Sequence, residues 1–229
     1  MTVADQRQRI LQIQAKHAAE DWAVANKIGY DGPVVQVPSG EAGVAALSTE
    51  RREAHRAHLR EALSDALGNP GEPDAVDDPD DHVSADLAAR SAQICTACRG
   101  ACCAGGGNHA FIGEDEIKRQ LALHPQRKPE QLLTLWLKHL PETIIAGGCV
   151  YQGERGCTLP RKLRSDLCNT YHCSPLDAWR DHAVTGEPLT DALVIQRSYT
   201  QQQRTSGGHD AAIERVLHID EHGVHLLDN

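Results

Sequence analysis

Eight cysteines fall into two groups along this chain, and no cysteine lies outside them. The first group has the spacing C-x2-C-x3-CC and consists of Cys95, Cys98, Cys102 and Cys103. The second group has the spacing C-x7-C-x10-C-x4-C and consists of Cys149, Cys157, Cys168 and Cys173. Zinc and iron prefer thiolate ligands, and two cysteines three positions apart can turn towards one ion. All eight thiols are therefore candidate metal ligands.

Cys102 and Cys103 are neighbours in the chain, so their side chains leave the backbone in different directions. Both can hardly serve one small tetrahedral site without strain. We expect one of them to join Cys95 and Cys98, while the other reaches a second ion or stays a spare or reactive thiol. The glycines at 105–107 allow the backbone to pass close to a metal, because glycine tolerates positive φ angles.

Cysteines also occur in proteins as disulfide bonds and as ordinary buried thiols. The first ten residues, MTVADQRQRI, lack the apolar segment of a secretory signal, and disulfides are rare in the reducing cytosol. Isolated buried thiols do not account for a C-x2-C pair followed by adjacent cysteines. The spacing therefore favours metal ligation, and we expect a cytoplasmic protein.

Composition excludes several classes of partner. The net charge is −9 and the pI is about 5.8, which argues against a general nucleic-acid-binding surface. No apolar run reaches the roughly 18 residues of a membrane span. With 40% hydrophobic residues, one Phe and one Met, the core is thin, so metal binding would add usefully to the free energy of folding. The composition leaves open whether the chain binds a protein partner.

Hydrophobic periodicity predicts a mainly α fold with small β elements, organised around one or more cysteine-ligated metal centres. The first predicted helix, residues 5–28, has an apolar face at Leu11, Ala15, Ala18, Trp22 and Ala25. Further helices are predicted at 41–67, 83–94, 113–123, 129–140 and 209–216. A short extended piece is expected within 30–40, and a β-hairpin is expected at the C-terminal end.

The acidic, proline-rich stretch 69–82 is predicted to be a linker. It separates an N-terminal helical arm, residues 1–68, from a metal-binding domain at 83–180 that carries both cysteine groups. Residues 181–229 are predicted to form a C-terminal extension.

The histidines are weaker candidates for metal ligands. His55 and His58 have a spacing compatible with ligation, but their surroundings are rich in charge, so we expect both to be solvated. His109 is the best histidine candidate near the first cysteine group, although an ordinary surface position is favoured. We place His218 and Asp220 on alternating sides of a half-exposed hairpin, which argues against a joint metal site there.

The order of these motifs resembles the YkgJ-type cysteine-cluster family, also called the CxxCxxCC family, over roughly residues 90–180. The two cysteine groups match the opening and closing motifs of that family. Tyr151 and Tyr171 stand at its aromatic positions, and Arg164 resembles the arginine of its Arg-Pro step. The chain departs from the pattern at Ser165, where proline is usual, and at Asn169, where arginine is common.

The resemblance implies chelation of zinc or iron, the iron either alone or in an iron–sulfur cluster. A single cluster would use four of the eight thiols, whereas two zinc sites could use all of them. The alternative is an iron–sulfur-dependent enzyme, a protein-modifying one by analogy with the family's distant relative, flagellin lysine-N-methylase. No G-x-G-x-x-G motif, P-loop or Ser/His/Asp pattern indicates a further cofactor or a hydrolase, so no catalytic residue is assigned.

Overall fold

The computed structural model describes residues 3–38, 43–69, 71–74, 83–185, 191–198 and 210–227. Helices predominate there and the strands form small sheets, which confirms the predicted class of mainly α with small β elements. The helices are α1 (Val3–Ile28), α2 (Thr49–Gly68), α3 (Ala85–Ala97), α4 (Glu114–Leu123), α5 (Pro129–Leu137), α6 (Asp166–Thr170) and α7 (Ser174–Thr185). The strands are β1 (Val35–Pro38), β2 (Val44–Ala46), β3 (Thr143–Ile145), β4 (Gln152–Gly153), β5 (Gly156–Cys157), β6 (Ala192–Arg197), β7 (Ile213–Asp220) and β8 (Gly223–Leu227).

The chain divides into two compact units, each assembled from separate segments. The first unit contains Met1–Glu41, Val83–Ala101 and His172–Asn229, and the second contains Ala42–His82 and Cys102–Tyr171. This division differs from the predicted boundaries, because α1 belongs to the first unit and α2 to the second. Most of the predicted linker at 69–82 lies outside the described residues.

The first unit is built on a four-stranded sheet of order β1-β6-β7-β8. β1 runs parallel to β6, and the remaining neighbours are antiparallel. β7 and β8 form the predicted C-terminal hairpin. Residues 213–216 are strand rather than the predicted helix, because Val216 and Leu217 pair with Ile195 and Val194 of β6. α3 and α7 supply Ile94, Leu176 and Trp179 to an apolar cluster with β1 and β6.

Helix α1 forms as predicted, but the apolar face expected for it is largely wrong. Leu11 and Trp22 are 56% and 68% exposed, whereas the helix buries Ile13, His17, Asp21 and Ala25. Arg197 on β6 explains the choice of face, because its buried guanidinium lies 2.6 Å from an Asp21 oxygen and 2.8 Å from a Glu20 oxygen. A buried arginine needs such partners, so charge pairing orients the helix.

The second unit packs α2 against α4 and α5. Its core contains Leu59, Ile117, Leu132 and Trp136, each fully or almost fully buried. α2 begins at Thr49 rather than near 41, because the side chain of Ser48 accepts a hydrogen bond from the backbone N–H of Arg51 and caps the helix. The preceding residues form β2, which pairs with β3.

None of the helices in the described residues is both long enough and apolar enough to span a membrane. The helices predicted at 83–94, 113–123 and 129–140 appear as α3, α4 and α5, with ends shifted by at most a few residues. The organisation of the fold around metal stays a prediction.

Candidate functional site

The eight cysteines divide between the two units. Cys95, Cys98 and Cys173 belong to the first unit, and the second unit contains Cys102, Cys103, Cys149, Cys157 and Cys168. None of the eight, all of which are described, forms a disulfide bond. The expected joint site of Cys95 and Cys98 with Cys102 or Cys103 would involve both units and stays a prediction.

Four thiols of the second unit line one small cavity of about 70 Å³. They come from one member of the first cysteine group and three members of the second. The cavity also contacts side chains that were not expected to be near a site, including Phe111 and Gln152. The lining thiols are Cys103, Cys149, Cys157 and Cys168.

The chain brings Cys103 and Cys149 to the cavity through tight backbone structure. Cys103 lies in a 3-10 helix, Ala101–Gly106. Cys149 follows a turn in which the Gly148 N–H donates to the Ile145 carbonyl at 2.8 Å. A Cβ atom added to Gly106 would lie 3.0 Å from the Cys149 sulfur, so any larger residue there would require Cys149 to shift by a few tenths of an ångström.

Cys157 and Cys168 are held by short elements. Cys157 is on β5, where it pairs with Gln152 of β4. Cys168 is on α6, and its backbone N–H donates to the Ser165 hydroxyl at 3.1 Å. The Asp166 N–H donates to a Glu116 carboxylate oxygen at 3.0 Å, so α4 also fixes the start of α6. As a whole residue Cys168 is exposed.

The backbone after the glycines is strained at the cavity. Ala110 and Phe111 have φ angles of 54° and 55°. Left-handed backbone is uncommon outside glycine and is unfavourable for a bulky residue such as Phe111. Both residues line the cavity. Strain of this kind occurs mainly where surrounding structure enforces it, often at functional sites.

The environment of the thiols favours their neutral form. The hydrogen bond with Cys102, together with burial, raises the pKa of the Cys103 thiol. Burial raises the pKa of Cys149 to about 11 and also raises the pKa of Cys168. Charge on Cys157 would raise all three pKa values further, so these sulfur atoms are close enough to influence one another's ionisation.

Two arginines bring positive charge to this group of thiols. Arg164, singled out in the sequence, lines the cavity, and its charge partly opposes the rise in the pKa of Cys168. The charge of Arg51 on α2 likewise partly opposes the rise in the pKa of Cys149. The other basic residues of the region, Arg155, Arg161 and Lys162, are exposed.

His55 is fully buried, so the expectation that it is solvated is wrong. Its Nδ1 lies 2.7 Å from the Asn108 carbonyl oxygen, and its Nε2 lies 2.6 Å from the hydroxyl of Tyr151, which lines the cavity. Burial lowers the pKa of His55 to about 4. The position could have been recognised from helical spacing, because His55 shares a face of α2 with the buried Leu59 and Ala62.

We expect this burial to make folding sensitive to acid. The unfolded imidazole has a pKa near 6.5 and the folded one a pKa of about 4, so the unfolded state takes up the proton between these values. The free energy of unfolding should therefore fall as the pH drops from about 6.5 to about 4, by roughly 3 kcal/mol. Urea unfolding of the metal-free chain across this pH range measures the change in the free energy of unfolding. His55→Gln should remove that part of the slope, and an unchanged slope would contradict the assignment.

The remaining histidine candidates lie outside the cavity. His58 has its Nε2 2.7 Å from the Ile112 carbonyl oxygen, and His109 is exposed, as expected. In the first unit, His218 and His225 pair across β7 and β8. His218 lies 3.9 Å from Asp220, so these two residues share one side of β7 and the predicted alternation is wrong. Strand residues two positions apart point the same way.

The cysteines of the first unit have other surroundings. Cys98 ends α3, is buried with Ile94 and Trp179, and directs its thiol to the Cys95 carbonyl oxygen at 3.2 Å. Cys173 packs against the same apolar cluster. Across the described ranges, no three His, Cys, Asp or Glu side chains are already arranged to hold a metal ion.

Comparison with known proteins identified no relative of this chain. No protein-family model matches this chain, and no match was found among curated proteins or solved structures.

Proposed function

We propose that this chain binds a thiophilic metal, zinc or iron, through Cys103, Cys149, Cys157 and Cys168. The observation that carries the proposal is that these four thiols line one small cavity within a single unit. Four thiolates are a standard ligand set for zinc and for iron–sulfur clusters. Because the thiols are not yet arranged around one point, binding requires them to lose protons and turn inwards.

The charge around the cavity supports this proposal. A divalent ion with four thiolates has a net charge of about −2, which is costly to bury without compensation. Arg164 lines the cavity, and the charge of Arg51 acts on Cys149. Two guanidinium groups thus oppose the negative charge that metal binding would create.

The resemblance to the YkgJ-type cysteine-cluster family supports the same chemistry. By that resemblance Cys95, Cys98, Cys102 and Cys173 are also metal ligands, outside the four-thiol cavity, which is part of the proposal. A closed four-thiolate zinc site has no open coordination position and would stabilise the fold. An iron–sulfur centre is the alternative, in a protein-modifying enzyme by family analogy.

Metal and sulfide analysis of chain purified without oxygen tests the proposal. We expect at least one zinc or iron ion per chain, and fewer reactive thiols than the eight present. Colourless protein with zinc indicates a closed structural centre, whereas brown protein with acid-labile sulfide indicates an iron–sulfur centre. Eight freely titratable thiols, with no metal retained after addition of either ion, would overturn the proposal.

A further inference from the structure

Helix α2 anchors two loops that contribute residues to the cavity. Arg51 donates through Nη2 to the carbonyl oxygens of Gly107, at 3.2 Å, and Gly148, at 2.7 Å. Its Nε donates to the Asn108 side chain at 2.7 Å. Each anchored carbonyl is adjacent in the chain to a cavity residue, since Gly107 follows Gly106 and Gly148 precedes Cys149. Arg51 therefore holds both cavity loops from one side.

His55, one helical turn after Arg51, extends this anchoring to Tyr151. The group facing its Nδ1 is a carbonyl oxygen, which only accepts, so Nδ1 carries the proton and donates to Asn108. Nε2 is then the acceptor, and the Tyr151 hydroxyl donates to it. Both side chains are fully buried, so water does not compete for this bond.

Tyr151 connects this arrangement to the thiols. It lines the cavity, lies two residues after Cys149, and its carbonyl oxygen accepts the N–H of Thr158, the residue after Cys157. A shift of Tyr151 would therefore move the backbone that carries two of the four thiols. Residues outside the ligand set that orient metal ligands in this way commonly control affinity.

We propose that His55 is a positioning residue which, acting through Tyr151 and together with Arg51, holds the Cys149 and Cys157 segments in place for metal binding. This inference rests on the proposed metal-binding function. It assigns no contact between His55 and the metal. Its role is to hold in place the backbone that carries these two thiols, so that less free energy is spent on ordering that backbone when an ion binds.

The test compares His55→Leu, which removes both hydrogen bonds, with His55→Gln, whose amide can donate to Asn108 and accept from Tyr151. Tyr151→Phe keeps the ring and removes only the hydroxyl. We expect His55→Leu and Tyr151→Phe to raise the zinc dissociation constant by about 10- to 100-fold. His55→Gln should recover most of the affinity. Competition with a chromophoric chelator measures each constant.

A second readout does not need metal. In the metal-free chain, iodoacetamide should alkylate Cys149 and Cys157 about tenfold faster in His55→Leu and Tyr151→Phe than in wild type, because opening of this region exposes the thiols. Peptide mass spectrometry gives the rate for each cysteine. Circular dichroism first establishes that each variant is folded, and Tyr151→Phe is the fallback if His55→Leu is not.

Arg51→Met and Arg52→Met form a matched pair. Arg52 also donates to two backbone carbonyls, those of Leu47 at 3.3 Å and Pro141 at 2.7 Å, which do not line the cavity. Arg51→Met should act like His55→Leu, whereas Arg52→Met should lower stability without changing alkylation of Cys149. If all these variants change zinc affinity and alkylation no more than Arg52→Met does, the positioning role is wrong.

The two proposals fail in different ways. If wild-type chain binds no zinc or iron, the metal-binding function is wrong, and the alkylation rates alone decide whether His55 positions the thiols. If wild-type chain binds metal while His55→Leu and Tyr151→Phe leave both readouts at the level of wild type, metal binding stands and the positioning role is wrong.

Discussion

Replacing Cys149 with serine is expected to weaken zinc binding by more than about 100-fold. The reason is that changes outside a ligand set already cost about 10- to 100-fold, and this change removes a proposed ligand. Cys149 is almost fully buried and its side chain lies against Gly106 inside the cavity. Cys157→Ser and Cys168→Ser should have comparable effects. Zinc affinity is measured by chelator competition, and bound metal by elemental analysis after purification without oxygen.

The adjacent cysteines provide the matched control for this prediction. Cys103 lines the cavity, whereas its neighbour Cys102 is not among the described residues that line it. Cys103→Ser should therefore lose zinc affinity, and Cys102→Ser should retain an affinity close to that of wild type. Equal effects of the two changes would contradict this choice between them. If Cys95→Ser and Cys98→Ser weaken binding as strongly as Cys149→Ser, the ligand set includes the first C-x2-C pair.

Replacing Arg197 with methionine is expected to destabilise the first unit by about 3–5 kcal/mol, because it leaves the buried carboxylate of Asp21 with a hydrogen bond from Gln36 but without its positively charged partner. Arg197 is fully buried, and Asp21, 7% exposed, lies 2.6 Å from it. The same guanidinium donates to the Ala211 carbonyl oxygen at 2.9 Å and so also holds the residues before β7. Urea unfolding measures the loss of stability, and hydrogen exchange of peptides from α1 and β6 shows whether the loss lies in these elements.

Two further variants make this prediction specific. Arg215→Met replaces an exposed arginine on β7 and should change stability by less than about 0.5 kcal/mol. Adding Asp21→Asn to Arg197→Met should restore part of the loss, since it removes the unpaired charge. A loss for Arg197→Met no larger than that for Arg215→Met would show that the buried ion pair does not hold α1 on the sheet.

Local sequence patterns predicted the helices of the second unit better than they predicted the packing of the first. α4 and α5 follow from caps and apolar spacing, which are properties of neighbouring residues. The buried face of α1 does not follow from neighbouring residues, because it depends on Arg197, at the other end of the chain. The parallel pairing of β1 with β6 is likewise set by strands far apart in sequence.

The sequence by itself determined that the candidate site is built from thiols, eight of them in two groups, in an acidic chain with a thin core. It could not determine which thiols share a site. Only the tertiary structure placed Cys103 with Cys149, Cys157 and Cys168 and assigned Cys95, Cys98 and Cys173 to the other unit. The reason is physical. Spacing limits what neighbouring residues can reach, whereas a cavity is formed by segments that meet through packing and burial.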